Sequence, residues 1–181
     1  DDLKVIQSHD RFGKSKIIND TCLNARQYVS ANSVDFIITS PPYPNDLEYT
    51  RQTRLELYLL DFVKSMEDIK ALKKKMVKGS TKLIFEDSNS AQYVDEFDSI
   101  RKVAHRIREE LTGRNWGWDY SRMVREYFGD MYLCLQEIHP LLANGAHFLL
   151  VVGNQTVKGV LVPVGDILIE MAEHIGYKKC R

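Results

Sequence analysis

The sequence predicts an α/β fold with a mainly parallel sheet, and two observations carry that prediction. Residues 34–39 and 147–154 are nearly continuous apolar runs, the pattern of strands buried on both faces of a parallel sheet. Residues 120–142 and 164–175 carry apolar side chains at helical spacing, between and after those runs. Strands that alternate with helices in this way are typical of parallel sheets with crossover helices.

Local signals predict the elements before and after these runs. A short apolar stretch at residues 16–19 predicts a strand that ends at Asp20, with a helix over residues 23–30 after it. At the other end of the chain, Gly176 follows the last helical pattern, which is where a left-handed residue commonly ends a helix.

The middle of the chain has helical patterns and no strand pattern. Helices are expected over residues 50–66 and 96–111, followed by a glycine- and tryptophan-containing loop at residues 112–119. We therefore predict that residues 64–119 are a helical insertion and that residues 1–63 and 120–181 form the α/β core.

Composition sets the broad class of protein. With 181 residues, 44% hydrophobic and 28% charged, the chain is typical of one globular domain. Lys+Arg and Asp+Glu are both 25, so overall charge does not favour a nucleic-acid binder, although a local basic face would suffice. The three cysteines lack metal or disulfide spacing, so we expect no metal site and a cytoplasmic location. No stretch is long enough to span a membrane.

The turn Ser40-Pro41-Pro42-Tyr43 stands at the end of the first apolar run, where open α/β sheets bind their ligands. Prolines donate no backbone hydrogen bond, so the carbonyls beside them are rigid acceptors, and the Ser40 hydroxyl adds another. Rigid acceptors of this kind suit an exocyclic amino group, and the ring of Tyr43 offers a flat face for a planar base. The residues thus predict a site that activates an aromatic amine.

The stretch TSPPYPN resembles motif IV of the S-adenosylmethionine-dependent DNA amino-methyltransferases, which methylate N4 of cytosine or N6 of adenine. The flanking KIINDTCLNARQYVSANSVDFIITSPPY is similar to that family's strand, acidic residue, helix and catalytic strand. The later EIHPLLANGAHFLLVVGNQTVKGVLVPVGDILIEMAEHIGYK is similar to the helix, glycine turn and strand that follow. The resemblance implies a Rossmann-like methyltransferase sheet with DNA as partner and the target base flipped out of the duplex.

The resemblance also implies roles for particular residues. Ser40 and the Pro41 carbonyl would hold the target amino group in the Ser40-Pro41-Pro42-Tyr43 motif, and Tyr43 would stack on the flipped base. Asn45 and Asp46 follow closely enough to line the same pocket. Asp20 matches the acidic position that contacts the adenine of S-adenosylmethionine, with Asn19 where the family usually has glycine.

One family element has no counterpart in the sequence. The family binds the methionine part of its cofactor on a glycine-rich F-x-G-x-G loop, and no such motif occurs among the 181 residues. Motif order in the family is permuted, so the expectation is a fragment of a larger enzyme, or a chain whose partner supplies the loop.

Two interpretations of the basic run Lys73, Lys74, Lys75, Lys78 and Lys82 are equally open. The lysines could meet DNA phosphates, or they could form a solvated helix face. In the loop after residue 111, Trp116 and Trp118 could wedge into a base stack, but packing of the insertion is favoured.

The function that follows is a site-specific DNA methyltransferase of a restriction–modification or defence system, with cytosine N4 favoured by the serine of the motif. The alternative is a catalytically incomplete methyltransferase-like subunit that binds DNA or a partner chain. A third interpretation, methylation of RNA or of a protein glutamine, is weaker, because the motif there typically begins with asparagine.

Overall fold

The computed structural model describes residues 13–115 and 117–180. Within them no helix is both long and apolar enough to cross a membrane. The strands are β1 (Val34–Thr39), β2 (Leu142–Leu150), β3 (Gln155–Val157) and β4 (Val160–Val162). The α-helices are α1 (Tyr49–Gln52), α2 (Arg54–Leu59), α3 (Met66–Lys74), α4 (Asp98–Glu110), α5 (Tyr120–Ile138) and α6 (Val164–Ile175). Short 3₁₀ helices cover Cys22–Gln27, Thr81–Leu83, Ser90–Val94 and His139–Leu141.

Strands β1 and β2 pair in parallel, which confirms the predicted parallel arrangement in a mixed α/β chain. Their register places Thr39 opposite Leu150 at the carboxyl ends. The prediction that β1 is buried on both faces was wrong, because Phe36 is 56% and Ile38 64% exposed. In the part of the chain that the structure describes, β1 has one neighbouring strand, and none of its residues is fully buried.

Helix α5 is the centre of the apolar core. Its side chains Met123, Tyr127, Phe128 and Leu135 are almost completely buried. Around them pack apolar side chains of α4, α6 and the β3–β4 hairpin: Ile100, Val103, Ile107, Val157, Val160, Val162, Ile167, Leu168 and Met171. Helix α4 of the predicted insertion therefore shares one core with the elements that follow it, while the division of the chain at residues 63 and 119 stays a prediction.

Several predicted elements near the amino end were wrong. Residues 16–19 form no strand, and the helix expected over residues 23–30 is a 3₁₀ helix, Cys22–Gln27. The long helix expected over residues 50–66 is two short ones, α1 and α2, because Thr53 departs from helical geometry and Asp61 adopts a left-handed φ of 57°. A new helix then begins at Met66, after the N-cap residue Ser65, whose hydroxyl and backbone exchange hydrogen bonds with Asp68 in a capping box.

The later elements match the prediction more closely, with shifted boundaries. Helix α5 ends at Ile138 because Pro140 lies in the next turn, and β2 begins at Leu142 rather than at residue 147. The sequence analysis missed the β3–β4 hairpin. Its two-residue turn, Lys158-Gly159, has φ values of 51° and 88°, as a hairpin turn of this length requires.

The close packing of Gly129 in α5 gives a test of this core. A Cβ atom on Gly129 would lie 2.1 Å from the carbonyl oxygen of Ser90, so Gly129→Ala must push the 90–94 segment away from α5. We expect a loss of about 2 kcal/mol or more in the free energy of unfolding, measured by urea denaturation.

Gly165→Ala is the matched control, because a Cβ atom there meets only the Cγ2 atom of Val152 at 3.6 Å. It should leave stability unchanged or raise it by up to about 1 kcal/mol through helix propensity. Equal stabilities of the two variants would contradict the packing of α5 against residues 90–94.

Candidate active site

The Ser40–Tyr43 turn meets the end of the neighbouring strand. The Ser40 Oγ atom lies 3.1 Å and the Tyr43 hydroxyl 3.3 Å from the carbonyl oxygen of Val151, the first residue after β2. The two hydroxyl oxygens lie 3.2 Å from one another. The structure therefore brings the first and last residues of the motif together at the carboxyl ends of two paired parallel strands.

The number of protons in this trio limits what Ser40 can do. Ser40 and Tyr43 have one O–H each, the Val151 carbonyl only accepts, and three contacts join the three oxygens. When Ser40 donates its proton to Val151, at least one of its two lone pairs remains for an incoming donor, because the Tyr43 hydroxyl can use no more than one. Towards a bound molecule Ser40 then acts as an acceptor, the property that the binding of an amino group requires.

The two proline carbonyls have different environments. The Tyr127 hydroxyl donates to the Pro42 carbonyl at 2.9 Å. Burial raises the pKa of Tyr127, so this residue stays a neutral donor. Among the described residues, the Pro41 carbonyl accepts no hydrogen bond. The turn is thus fixed through one carbonyl, and the other keeps its lone pairs.

Asp46 anchors the chain that follows the turn. Its Oδ1 atom accepts hydrogen bonds from the Ser80 hydroxyl at 2.9 Å and from the Thr81 amide and hydroxyl, each at 2.8 Å. Its Oδ2 atom lies 3.3 Å from the hydroxyl of Tyr120, the first residue of α5. Burial raises the pKa of Asp46, but these donors together outweigh burial and leave the pKa below its usual value. The carboxylate is therefore ionised at neutral pH.

Gly79 allows the turn to approach the segment before Ser80. A Cβ atom at Gly79 would lie 2.5 Å from the Tyr43 carbonyl oxygen, so only glycine fits at this distance. The Asp46 amide donates to the Gly79 carbonyl at 2.9 Å, and Asp46 has a left-handed φ of 62°. Backbone and side chain of Asp46 thus attach the turn to residues 79–81.

Asn45 contrasts with its neighbour. Asn45 is exposed, and its Oδ1 atom accepts a hydrogen bond from the Leu47 amide at 3.2 Å. This contact leaves the side-chain amide donors of Asn45 directed to no partner among the described residues. Of the two predicted pocket residues, Asn45 thus keeps side-chain donors without a partner, whereas the Asp46 carboxylate already accepts four hydrogen bonds.

Lysines of the basic run are engaged in ion pairs within the fold. Lys73 pairs with the buried Glu48, just after the motif, and Lys74 pairs with Asp87 at 2.8 Å. The Lys78 ammonium lies 2.8 Å from the buried Asp130 carboxylate, which also accepts from the Lys78 amide at 3.0 Å. For Lys73 and Lys78, pairs with buried carboxylates replace both of the earlier interpretations. Lys74 and Asp87 are both exposed, so the interpretation of a solvated helix face holds for Lys74.

Asp20 shares no hydrogen bond with the motif among the described residues. Its carboxylate accepts hydrogen bonds from the Tyr28 hydroxyl at 2.6 Å, the Thr21 amide at 2.7 Å and the Asn24 side chain at 3.0 Å. The bond from Tyr28 contributes most to a pKa of Asp20 below its usual value. Asp20 is exposed and anionic, and its hydrogen bonds are all local.

Other features of the helical part lie away from the turn. One cleft of about 320 Å³ is lined by residues between Ser88 and Glu126, and none of its lining residues belongs to the Ser40–Asp46 turn. Trp118 is 53% exposed rather than packed, and Trp116 lies outside the described residues.

The sequence analysis missed the residues that hold the turn from outside. A backbone carbonyl such as that of Val151 has no sequence signal. Tyr127 offers a weak one, because a tyrosine hydroxyl on the buried face of a helix must find a partner. Gly79 and Tyr120 act through contacts with residues far away in the sequence, which no local pattern encodes.

The Ser40–Tyr43 turn lies at the carboxyl ends of two paired parallel strands, where the sequence analysis expected it. Curated proteins that resemble the chain are Type II methyltransferases. The Type II methyltransferases M.AvaI of Nostoc sp. and of Anabaena variabilis are each 29% identical to the chain over 167 residues, covering 89% of it and 34% of the relative. The Type II methyltransferase M.BsoBI of Geobacillus stearothermophilus is 28% identical over 199 residues, covering 98% of the chain and 38% of the relative.

The resemblance to methyltransferases stated from the motif is therefore confirmed. The chain spans about a third of the length of the curated relatives that it matches. No family model matches the chain, and no solved structure matches it significantly.

The ion pair of Lys78 can be tested by substitution. Lys78→Met leaves the carboxylate of Asp130, of which 7% is exposed, without its cation. We expect a loss of about 3 kcal/mol in the free energy of unfolding, measured by urea denaturation.

Lys70→Met, at an exposed position of α3, is the control and should change stability by less than about 0.5 kcal/mol. A Lys78 variant as stable as the Lys70 variant would show that Lys78 belongs to a solvated face.

Proposed function

We propose that this chain is the catalytic region of a DNA methyltransferase of a restriction–modification system. The reaction transfers a methyl group from S-adenosylmethionine to an exocyclic amino group of a base flipped out of the duplex. Cytosine N4 is favoured over adenine N6, because the motif begins with serine. The Type II methyltransferases among the relatives support the class of reaction.

One observation supports the proposal: the turn keeps two hydrogen-bond acceptors while its neighbours fix it at Val151 and Tyr127. Ser40 can give its proton to Val151 and keep its lone pairs, and the Pro41 carbonyl has no other partner among the described residues. Two fixed acceptors suit the two N–H bonds of an aromatic amine. Such positioning is worth most when the protein supplies it before the reaction begins.

The chain's own residues contribute binding and polarisation. The Ser40 hydroxyl and the Pro41 carbonyl accept from the amino group and draw its lone pair out of conjugation with the ring. The nitrogen lone pair would then be free to take the methyl group that S-adenosylmethionine would supply, and the proton lost by the nitrogen would pass to solvent water. No covalent intermediate with the protein is needed. Tyr43 stacks on the flipped base, and the amide of Asn45 donates to an acceptor of the base or its phosphate.

The residues present fit part of the cofactor. S-adenosylmethionine, when bound, supplies the methyl group as a sulfonium. Asp20 is exposed and anionic and can contact the adenine part, the role that the family resemblance implies. A further polypeptide segment would supply the glycine-rich loop for the methionine part.

The exposed side of the β1–β2 pair supports such a segment. Parallel strands are normally covered on both faces, whereas Phe36 and Ile38 of β1 and Leu149 of β2 are 48% to 64% exposed. We propose that a further segment or a partner chain covers this face and extends a Rossmann-like sheet beside β1. The second candidate function, an incomplete methyltransferase-like subunit that binds DNA or a partner, rests on this same observation.

Substitutions in the turn test the proposed chemistry in the natural full-length protein. Ser40→Ala should lower kcat for methyl transfer about 10-fold or more, with the KM for DNA little changed, because it removes an acceptor of the amino group. Tyr43→Ala should weaken binding of DNA that contains the target base by about 10-fold, because it removes the stacking ring. Transfer of tritium-labelled methyl groups measures the first effect and fluorescence anisotropy the second.

Tyr43→Phe is the matched control, because it keeps the ring and removes only the hydroxyl. It should bind DNA within about twofold of the wild-type protein. If Ser40→Ala and Tyr43→Ala both methylate at the wild-type rate, the assignment of the turn is wrong.

Calorimetric titration of S-adenosylmethionine into the 181-residue chain distinguishes the two candidate functions. We expect no binding tighter than about 1 mM for the chain alone, and micromolar binding for the full-length protein if it is an enzyme. Micromolar binding to the chain alone would refute a separate source of the cofactor loop. A full-length protein that binds DNA but no cofactor would favour the incomplete subunit.

A further inference from the structure

The sequence analysis assigned Asp46 to the substrate pocket, but its contacts give it another task. A carboxylate offers about four lone-pair sites. Ser80, Thr81 and Tyr120 already direct four donors at Asp46: two hydroxyls and an amide at Oδ1, and the Tyr120 hydroxyl at Oδ2. Little acceptor capacity remains for a substrate.

The contacts of Asp46 form a bridge between three parts of the chain. Asp46 contacts residues 79–81 and Tyr120, the first residue of α5. The ammonium of Lys158, on the β3–β4 turn, lies 4.3 Å from the centre of the Tyr120 ring. Residues 79–81 are anchored in turn through Lys78, whose ammonium and amide bind Asp130 of α5. Asp46 thus ties the end of the motif turn to the central helix of the core.

We propose that Asp46 is a positioning residue for methyl transfer, which holds the Ser40–Tyr43 turn against residues 79–81 without touching the substrate. The proposal rests on the proposed function, and it assigns Asn45 and Asp46 to different tasks. Asn45 presents its amide to the substrate, and Asp46 fixes the backbone from which Ser40, Pro41 and Tyr43 act.

The geometry explains how Asp46 acts at a distance. The Asp46 amide binds the Gly79 carbonyl, and Gly79 in turn lies directly against the Tyr43 carbonyl oxygen. Loss of the carboxylate leaves Thr81 and Ser80 with unsatisfied donors and releases the segment that supports Tyr43. Ser40 contacts the Tyr43 hydroxyl, so a displacement of Tyr43 reaches the acceptor pair.

The experiment combines a structural measurement on the 181-residue chain with a kinetic one on the natural full-length protein. Asp46→Ala removes both oxygens, whereas Asp46→Asn keeps one oxygen and tolerates the left-handed φ of 62°. Thr81→Val removes one donor to Asp46 at constant shape. Glu67→Gln, at an exposed position of α3, is the control. Amide hydrogen exchange at residues 45–47 and single-turnover methyl transfer per active enzyme are measured for each variant and for the Asp46→Ala/Thr81→Val pair.

For Asp46→Ala we expect exchange at residues 45–47 to become at least about 10-fold faster, with α5 unchanged. The transfer rate constant should fall about 10-fold or more while the Kd for DNA stays within about twofold. Asp46→Asn should recover most of the rate. Thr81→Val should also lower the rate constant of methyl transfer. The double variant should be scarcely slower than Asp46→Ala, because the two residues act through one contact.

Three results would overturn the proposal. Unchanged exchange at residues 45–47 would show that Asp46 does not hold the turn. An unchanged rate of methyl transfer in an active protein would show that the contacts of Asp46 with residues 79–81 support the fold but not the reaction. Additive effects of Asp46→Ala and Thr81→Val, with weaker DNA binding, would place Asp46 in contact with the substrate. If the wild-type full-length protein transfers no methyl group to DNA, the proposed function itself fails and the positioning role fails with it.

Discussion

A turn with prolines at positions 41, 42 and 44 has few amide donors, and this shortage governs the surrounding structure. Such a turn cannot be fixed by its own backbone ladder, so neighbouring groups must donate to it or pack against it. Tyr127 donates to Pro42, Gly79 allows residues 79–81 to approach, and Asp46 gathers donors from that segment. The chemistry of the motif thus requires that its support come from elements far away in the sequence.

Lys73 and Lys78 also support the region around the turn. Lys73 neutralises the buried Glu48, which follows the motif in sequence, and Lys78 neutralises the buried Asp130 of α5. Burying such charges is costly unless they are paired and hydrogen-bonded, and each of these pairs meets that condition. The lysine run has the composition of a phosphate-binding surface, but part of it forms ion pairs with buried carboxylates. Net charge alone could not distinguish a phosphate-binding surface from such ion pairs.

Sequence patterns predicted the elements that local residues determine. Strand β1, helices α4 and α6 and the position of the motif at the end of a strand all follow from apolar spacing and turn residues. The patterns failed where long-range contacts decide. The run at residues 16–19 has the apolar character of a strand, but it has no partner strand in the described part of the chain. The apolar residues Phe36 and Ile38 predict a buried face of β1, but no described element covers them. Asp46 is next to the motif in sequence, but its role depends on Ser80, Thr81 and Tyr120.

The pairing of β1 with β2 also dictates the order in which the chain can fold. Ser40 and Val151 are 111 residues apart, and Tyr43 and Val151 are 108 apart, so closing the acceptor trio encloses most of the chain in one loop. Contacts of such separation form slowly, after the helices between them have collapsed. During synthesis the amino half leaves the ribosome with residues 79–81 beside the proline turn, but without the Val151 carbonyl that Ser40 and Tyr43 contact. The contacts of Ser40 and Tyr43 with Val151 are therefore completed only after residue 151 has emerged.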